Sequence, residues 1–291
     1  MVRYRGKDQI EFGYKNYAET IYGSSPGATP TTLYRIGYVE ELTPLYDPEL
    51  NRVMALRDVT TPAPIAILSR KENVGLRIRW LQGTLGQYWQ DKILEGENFF
   101  GETKIKRGTD ELYLYWTGLK ADVLTARCSI GEPVVWEAEF IGKLFDTKSS
   151  TIHSYGASPG DPWEWDDTYV QMSENDADWT TIPDVTDWEL RLDNRLKSNF
   201  VFNSSGSKQL SSLEEMEPIC TARLTINMTS ETYLSYLLDQ TELYLKVLMP
   251  DTTWLKLNKG KFALVEPVLK PEDLIACRVQ FEGRWMTTSW D

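Results

Sequence analysis

The sequence has little of the side chains on which most catalytic and metal sites depend. It contains one histidine, His153, and three cysteines, Cys128, Cys220 and Cys277, in 291 residues. An odd number of cysteines without paired spacing argues against a disulfide framework or a zinc ribbon. His153 lies in an acidic segment with no cysteine or second histidine nearby. We therefore expect a solvated loop histidine there, and neither a metal cage nor a Ser-His-Asp set.

Long apolar runs and nucleotide-binding motifs are also missing. No apolar run approaches the roughly 18 residues that a membrane helix needs, and residues 1–20 contain no apolar signal core. Neither a phosphate-cradling glycine loop nor a dinucleotide fingerprint occurs. The sequence therefore predicts a soluble, unsecreted protein that uses no cofactor, does not bind a membrane and is not an enzyme.

Basic residues are absent from the middle of the chain. The net charge is −12, yet residues 149–190 hold ten Asp or Glu and no Lys or Arg, which leaves 31 basic against 33 acidic residues elsewhere. This pattern predicts an acidic linker between two nearly neutral flanks. Clustered carboxylates such as Asp166, Asp167, Asp176 and Asp178 could hold calcium, but their spacing does not match an EF-hand loop, so we expect no metal site.

The two flanks repeat each other. Residues 54–78 and 200–224 each run from a short apolar segment through a polar loop to an alternating segment, at a constant offset of 146. The closing segments "EAEFIGKLF" (137–145) and "RVQFEGRWM" (278–286) align at an offset of 141, so one short indel accounts for the change. The alternative is two unrelated β-domains, and we favour a duplication. It predicts four equivalent core residues: Ile78, Phe140, Leu224 and Phe281.

The local patterns predict a mainly β fold with one helix per unit. Segments such as "LRIRW" and "TARLTINM" alternate apolar and polar residues, as strands with one buried face do. One helical segment follows in each half, within residues 83–94 and 231–238. About seven strands and one helix then form a sandwich or partly closed barrel in each of two tandem copies. The predicted divisions are an N-terminal arm (1–33), a first domain (34–148), an acidic Trp-rich linker or insertion (149–183) and a second domain (184–291).

Four tryptophans lie in or beside the acidic segment: Trp163, Trp165, Trp179 and Trp188. Exposed tryptophans near carboxylates can stack on sugar rings, so a carbohydrate-binding β-module stays open as an alternative. Flexible tethers are poor in such residues. We therefore expect these side chains to anchor the linker onto the domains or onto a neighbouring subunit.

Several stretches resemble the tail tube proteins of long-tailed phages, siphovirus-like or myovirus-like, and related viruses. They are "YAETIYGSSPGATP" (17–30) followed by "YRIGYVEELTP" (34–44), the middle "WTTIPDVTDWELRLDNRL" (179–196) and the closing "RVQFEGRW" (278–285). The resemblance rests on pattern and element order over most of the chain. It implies the duplicated, two-domain form of a small β-barrel or sandwich that is shared with the tube protein of type VI secretion systems.

The resemblance also implies a role in the virion tail, after synthesis in the host cytoplasm. Three chains with two units each would form a pseudo-hexameric ring, and stacked rings would form a hollow conduit for the genome. The implied partners are further copies of the chain, the tape measure, terminator and baseplate or tip proteins, and double-stranded DNA passing without sequence-specific binding. A type VI secretion-like tube component is the alternative within this fold.

Two polar loops take the place of the long loop by which that family contacts the next ring. They cover residues 58–73 and 204–218, and the arm is a further candidate for such contacts. The candidate contact residues are Asp58, Pro62, Pro64, Ser69, Ser204, Gly206, Lys208 and Glu214.

Three arginines lie on the polar face of predicted strands: Arg77, Arg79 and Arg223. A basic channel lining would hold DNA by counterion release, whereas carboxylates would repel it. We therefore predict that these arginines pair with carboxylates or lie at subunit contacts.

Overall fold

The computed structural model describes residues 9–16, 32–47, 50–53, 66–69, 71–83, 90–107, 110–148, 153–157, 160–201, 210–227, 232–268 and 276–289. Strands dominate these residues, and two short α-helices accompany them. The predicted mainly β fold is confirmed.

The first half of the chain forms eleven strands and one short helix among the described residues. In chain order they are β1 (Gln9–Asn16), β2 (Thr32–Arg35), β3 (Tyr38–Asp47), β4 (Leu50–Val53), β5 (Ala66–Ser69), β6 (Asn73–Leu81), α1 (Gln90–Leu94), β7 (Phe99–Arg107), β8 (Asp110–Ser129), β9 (Val135–Gly142), β10 (Leu144–Lys148) and β11 (Ser154–Tyr155).

The second half repeats the order from β1 to β10, and β11 has no counterpart among the described residues. Its elements are β12 (Tyr169–Ser173), β13 (Thr180–Thr181), β14 (Val185–Asp193), β15 (Lys197–Asn199), β16 (Ser212–Glu214), β17 (Ile219–Asn227), α2 (Thr232–Leu238), β18 (Leu243–Leu248), β19 (Trp254–Val268), β20 (Ala276–Gly283) and β21 (Trp285–Thr288). Each half has more strands than the roughly seven predicted, because the short hairpins β4–β5 and β15–β16 and strands before β3 and β14 add to the count.

The strand pairing follows the same register in both halves. Leu42 of β3 lies opposite Ile78 of β6. Trp188 of β14 lies opposite Leu224 of β17, and both positions are 146 residues further along the chain. Because a slip of one residue turns every side chain to the other face, register is a demanding test of equivalence. The two ladders are copies of one another.

Strands β8 and β9 keep the second predicted offset. The single indel that the sequence predicts is wrong, because β7 matches β18 at an intermediate offset of 144, so two short indels lie between the repeats. Phe140 of β9 lies opposite Ala121 of β8. Phe281 of β20 lies opposite Phe262 of β19, and both positions are 141 residues further on. Phe140 and Phe281 are both buried. The long strands β8 and β19 therefore play the same part in the two halves.

Irregularities repeat as well. Three ladders shift register once in each half, and every shift occurs at the equivalent place. The shifts follow Val39 and Val185, Phe99 and Leu243, and Ala121 and Phe262. Bulges bend a strand locally and re-aim its side chains, so their matched positions indicate a shared architecture rather than two unrelated β-domains.

The predicted arm and the predicted linker each supply a strand to this architecture. β1 pairs with β7, where Phe12 lies opposite Thr103. β12 pairs with β18, where Val170 lies opposite Val247. Phe12 and Val170 are both buried in the core. Residues that the sequence places outside the two domains therefore complete the same sheet position in each half.

Each unit is a two-layer sandwich crossed by one long strand. One layer is β1, β7, the first part of β8 and β10, matched by β12, β18, the first part of β19 and β21. The other layers join edge to edge through the β8–β14 ladder into one antiparallel sheet of eight strands. Its order is β3-β6-β9-β8-β14-β17-β20-β19. Alternating side chains of this sheet fill one hydrophobic core that extends through both units.

Candidate functional site

The joint between the two units is a strand ladder. β8 of the first unit and β14 of the second are antiparallel, with Leu190 opposite Ala126 at the centre. The amide of Asn194 donates to the carbonyl of Asp122 at 2.7 Å at one end, and the amide of Ile130 donates to the carbonyl of Thr186 at 3.0 Å at the other. Two sandwich units thus share one continuous sheet instead of being tethered by a free linker.

The same two edges recur at the ends of the eight-stranded sheet, where no second strand of the described residues pairs with them. β3 is the equivalent of β14, and within the described residues its only partner strand is β6. The second part of β19 is the equivalent of the joint-forming part of β8, and there its only described partner is β20. The sheet therefore ends in two edges that are copies of the two edges already joined inside the chain.

Side chains at these open edges are exposed where their equivalents are covered. Leu264 in β19 is 47% exposed, whereas its equivalent Val123 in the internal joint is 8% exposed. Tyr46 in β3 is 50% exposed, whereas its equivalent Leu192 is 3% exposed. Leu45 adds another exposed apolar side chain on β3. Open strand edges that carry apolar residues favour pairing with another chain.

The solvent face of the eight-stranded sheet is charged, and its arginines are paired. Arg77 donates to Glu139 and lies near Glu137 at 3.4 Å, and the bond to Glu139 raises the pKa of its guanidinium above the ordinary value. Arg79 contacts Glu40 at 2.8 Å. This part of the prediction is confirmed, because these arginines meet carboxylates.

Arg223 contacts Glu189 of the neighbouring strand at 3.5 Å. A cleft of about 270 Å³ crosses this face between the two units. Its lining carries acidic and basic groups side by side, including Arg77, Arg127, Glu137 and Glu189. Such a mixed face offers no concentrated positive field for phosphate groups.

Two of the eight predicted loop contacts lie on a pair of equivalent hairpins. β4 pairs with β5, and β15 pairs with β16, with Val53 opposite Ala66 and Asn199 opposite Ser212 at the offset of 146. Ser69 lies in β5, and Glu214 lies exposed in β16. The other predicted contacts lie outside the described residues: Asp58, Pro62, Pro64, Ser204, Gly206 and Lys208.

The tryptophans of the acidic segment lie in three environments. Trp163 is fully buried, where its amide donates to the carbonyl of Gln82. Trp188 is buried in β14 and donates from its indole nitrogen to Thr168 at 3.2 Å. Trp179 is half-buried, with the ammonium of Lys246 3.9 Å from its ring centre. Trp165 is 41% exposed.

The expectation of a solvated His153 is wrong. Its imidazole is buried against the first unit, with Nδ1 3.0 Å from the Glu102 carboxylate and the ring edge-on to Phe100. Tyr155 donates to the same carboxylate at 3.2 Å. Burial and the negative charge of Glu102 raise the pKa of the Tyr155 hydroxyl well above its ordinary value. Glu102 is missing from the predicted residues because nothing near it in the sequence marks it.

This buried cluster holds the segment around β11 against the first unit and is shielded from solvent. β11 pairs in parallel with β2 beside it. Among the described residues no group of three His, Cys, Asp or Glu side chains is placed to hold a metal ion. None of the described helices is long and apolar enough to cross a membrane.

Comparison with known proteins identifies no family. No protein-family profile matches the chain, and no curated protein matches it. Among solved structures, one similar chain belongs to a "Virion of native gene transfer agent (GTA) particle", with 8% sequence identity and a TM-score of 0.36. The match covers 43% of this chain and 98% of that chain.

Proposed function

We propose that the chain is a structural subunit of a viral tail tube. The observation that carries this proposal is the eight-stranded sheet, whose two open edges are copies of the two edges joined at its centre. A heterologous contact between copies of such a chain repeats the internal contact, and it generates a ring if the rotation closes. Three chains supply six similar units and a barrel of three times eight, or 24, strands.

The proposed channel lining is the charged face of that sheet. Its arginines are neutralised by neighbouring carboxylates, as Arg77 is by Glu139 and Arg223 by Glu189. A lining of this kind neither holds a DNA backbone by counterion release nor carries a strong like charge. The proposed role is passive conduction of the genome, with tape measure, terminator and tip proteins as further tail partners and the virion as the location.

Stacking of rings is proposed to use the paired hairpins. β4–β5 and β15–β16 occupy equivalent places in the two units, so a ring of three chains would present six of them. A type VI secretion-like tube has the same geometry, and a virion preparation containing the chain would separate the two. A carbohydrate-binding role is less well supported, because Trp163 and Trp188 are buried and Lys246 covers the ring of Trp179.

Electron microscopy of the purified protein tests the proposal. The protein is concentrated, negatively stained, and measured in parallel by native mass spectrometry. We expect rings or hollow filaments, and a ring mass of three chains of 33.5 kDa each. A protein that stays monomeric at high concentration and binds a glycan array would contradict the proposal.

A further inference from the structure

The internal joint supplies a register for contact between copies. Subtracting 146 converts a residue of β14 to its equivalent in β3, and adding 141 converts a residue of β8 to its equivalent in β19. The central pair Leu190–Ala126 therefore becomes Pro44 and Pro267. Each open edge therefore carries a proline at the position that corresponds to the central pair of the joint.

The hydrogen bonds of the internal joint show which way these positions face. Asn194 donates to Asp122, and Ile130 donates to Thr186, so these are hydrogen-bonded positions of the ladder. Hydrogen-bonded and non-hydrogen-bonded pairs alternate along antiparallel strands. Counting inward from either end makes Leu190–Ala126 a pair that exchanges hydrogen bonds across the joint.

Proline at the equivalent positions has two consequences. The ring nitrogens of Pro44 and Pro267 face the open edges, so the ladders that bind β3 to β6 and β19 to β20 keep their bonds. Across a joint with another copy, however, neither proline has an amide hydrogen to donate. A hydrogen-bonded pair also leaves about 2.9 Å between nitrogen and oxygen, which is too short for an intervening ring carbon. The strands must separate at this point.

We propose, on the basis of the tube-subunit function above, that β3 of one chain pairs with β19 of a second copy in the register of the internal joint, interrupted where Pro44 meets Pro267. The contact between chains is then weaker than the contact within the chain. The prolines hinder premature strand pairing at the edges of isolated chains, as edge prolines do in other sheets. The matched edges still allow assembly.

Apolar burial accompanies the proposed contact. In this register Tyr46 and Leu264 take the places of the covered residues Leu192 and Val123. Three residues from the prolines, Asp47 is placed opposite Leu264 in a non-hydrogen-bonded pair, the equivalent of Asp193–Val123. Such pairs hold their Cα atoms about 4.5 Å apart, within the span of a disulfide.

Disulfide trapping tests the register. The double variant Asp47→Cys, Leu264→Cys is assembled and oxidised, and we expect species of two and three chains on a non-reducing gel. Asp193→Cys, Val123→Cys is the positive control and should close within one chain. Thr43→Cys, Leu264→Cys uses the same two edges displaced by four residues and should give no cross-linked species.

The native thiols do not compete in this experiment. The three native cysteines are free and buried, and burial raises the pKa of Cys128 and of Cys220 to about 11. Cross-linking of the displaced pair, or of neither pair in a preparation that shows rings, would overturn the register while leaving the tube function intact. Absence of any assembly would count against both.

Replacing the prolines tests the interruption. Pro44→Ala, Pro267→Ala restores two amide donors to the contact between chains, so we expect the concentration at half-assembly to fall about tenfold. Pro183→Ala, Pro250→Ala is the matched control, because these prolines lie outside both edges and outside the loops proposed for ring stacking, and should leave that concentration unchanged. An unchanged or higher concentration for the edge variant, in protein shown by circular dichroism to be folded, would overturn the proposal.

Discussion

The two units share their strand register but differ in what covers the same strand position. Glu102 of β7 lies opposite Tyr115, and its equivalent Lys246 of β18 lies opposite Lys256. Glu102 is buried under His153, whereas Lys246 lies under the ring of Trp179. One acidic segment thus crosses both units and makes a different contact on each. The backbone ladder is the same in both units, whereas the side chain that holds the crossing segment differs between them.

Core truncation is expected to have the largest effect and to be similar in both units. Phe140→Ala and Phe281→Ala each remove a fully buried ring from equivalent places, and such changes cost about 3–5 kcal/mol of unfolding free energy. Urea denaturation of the two variants measures this. Costs that differ by more than about twofold would show that the two cores are not equivalent.

The buried polar cluster should make the first unit more sensitive than the second at the shared position. Glu102→Leu leaves His153 and Tyr155 without their shared acceptor, so we expect a loss of about 1–3 kcal/mol. Lys246→Leu is the matched change in the second unit. It removes a cation-π contact worth about 0.5–1 kcal/mol. It also removes the cost of desolvating the charged ammonium, which offsets part of that loss.

Denaturation of these two variants should rank Glu102→Leu as the more harmful. The reverse order would mean that the crossing segment is held mainly at the second unit.

Raising the pH is expected to change folding stability in opposite directions through Tyr155 in the first unit and Lys246 in the second. The folded-state pKa of Tyr155 is raised, so the native state keeps a proton that the unfolded chain loses above about pH 10, and stability falls there. The folded-state pKa of Lys246 is lowered by burial and by Lys256, so the native state loses its proton first, and stability rises towards about pH 10.

Urea midpoints measured from pH 8 to 11 test these signs. Tyr155→Phe should reduce the alkaline loss of stability, and Lys246→Met should remove the opposing gain. Changes of the same sign in both variants would contradict the assignment.

Surface ion pairs should have the smallest effect. Arg77→Met and Arg223→Met each remove an exposed pair on the charged face, which is expected to cost at most about 0.5–1 kcal/mol. Assembled particles of the two variants should retain their shape. A large loss of folding stability would show that these pairs hold the sheet together.

The sequence predicts the repeat well because the alternation of apolar and polar residues along each strand is a local signal. The offsets of 146 and 141 recur in the strand ladders, so alternating segments suffice to align Ile78 with Leu224 and Phe140 with Phe281, although the offset of 144 for β7 is missed. The equivalence of β1 and β12 is hidden, because each precedes its unit by a different distance along the chain.

The contact between His153 and Glu102 is also hidden from the sequence. The two residues are 51 positions apart, and neither lies in a motif. Only the fold brings the acidic segment over β7. The open edges could not be found either, since strand order decides which strands end a sheet.

The central claim is that copies of this chain close into a ring by repeating its internal joint. Averaged cryo-electron micrographs of assembled particles, viewed along the axis, test it directly. The account predicts threefold symmetry with six similar lobes around a 24-stranded barrel. A closed particle of any other symmetry, or one in which β3 and β19 remain unpaired, would contradict it.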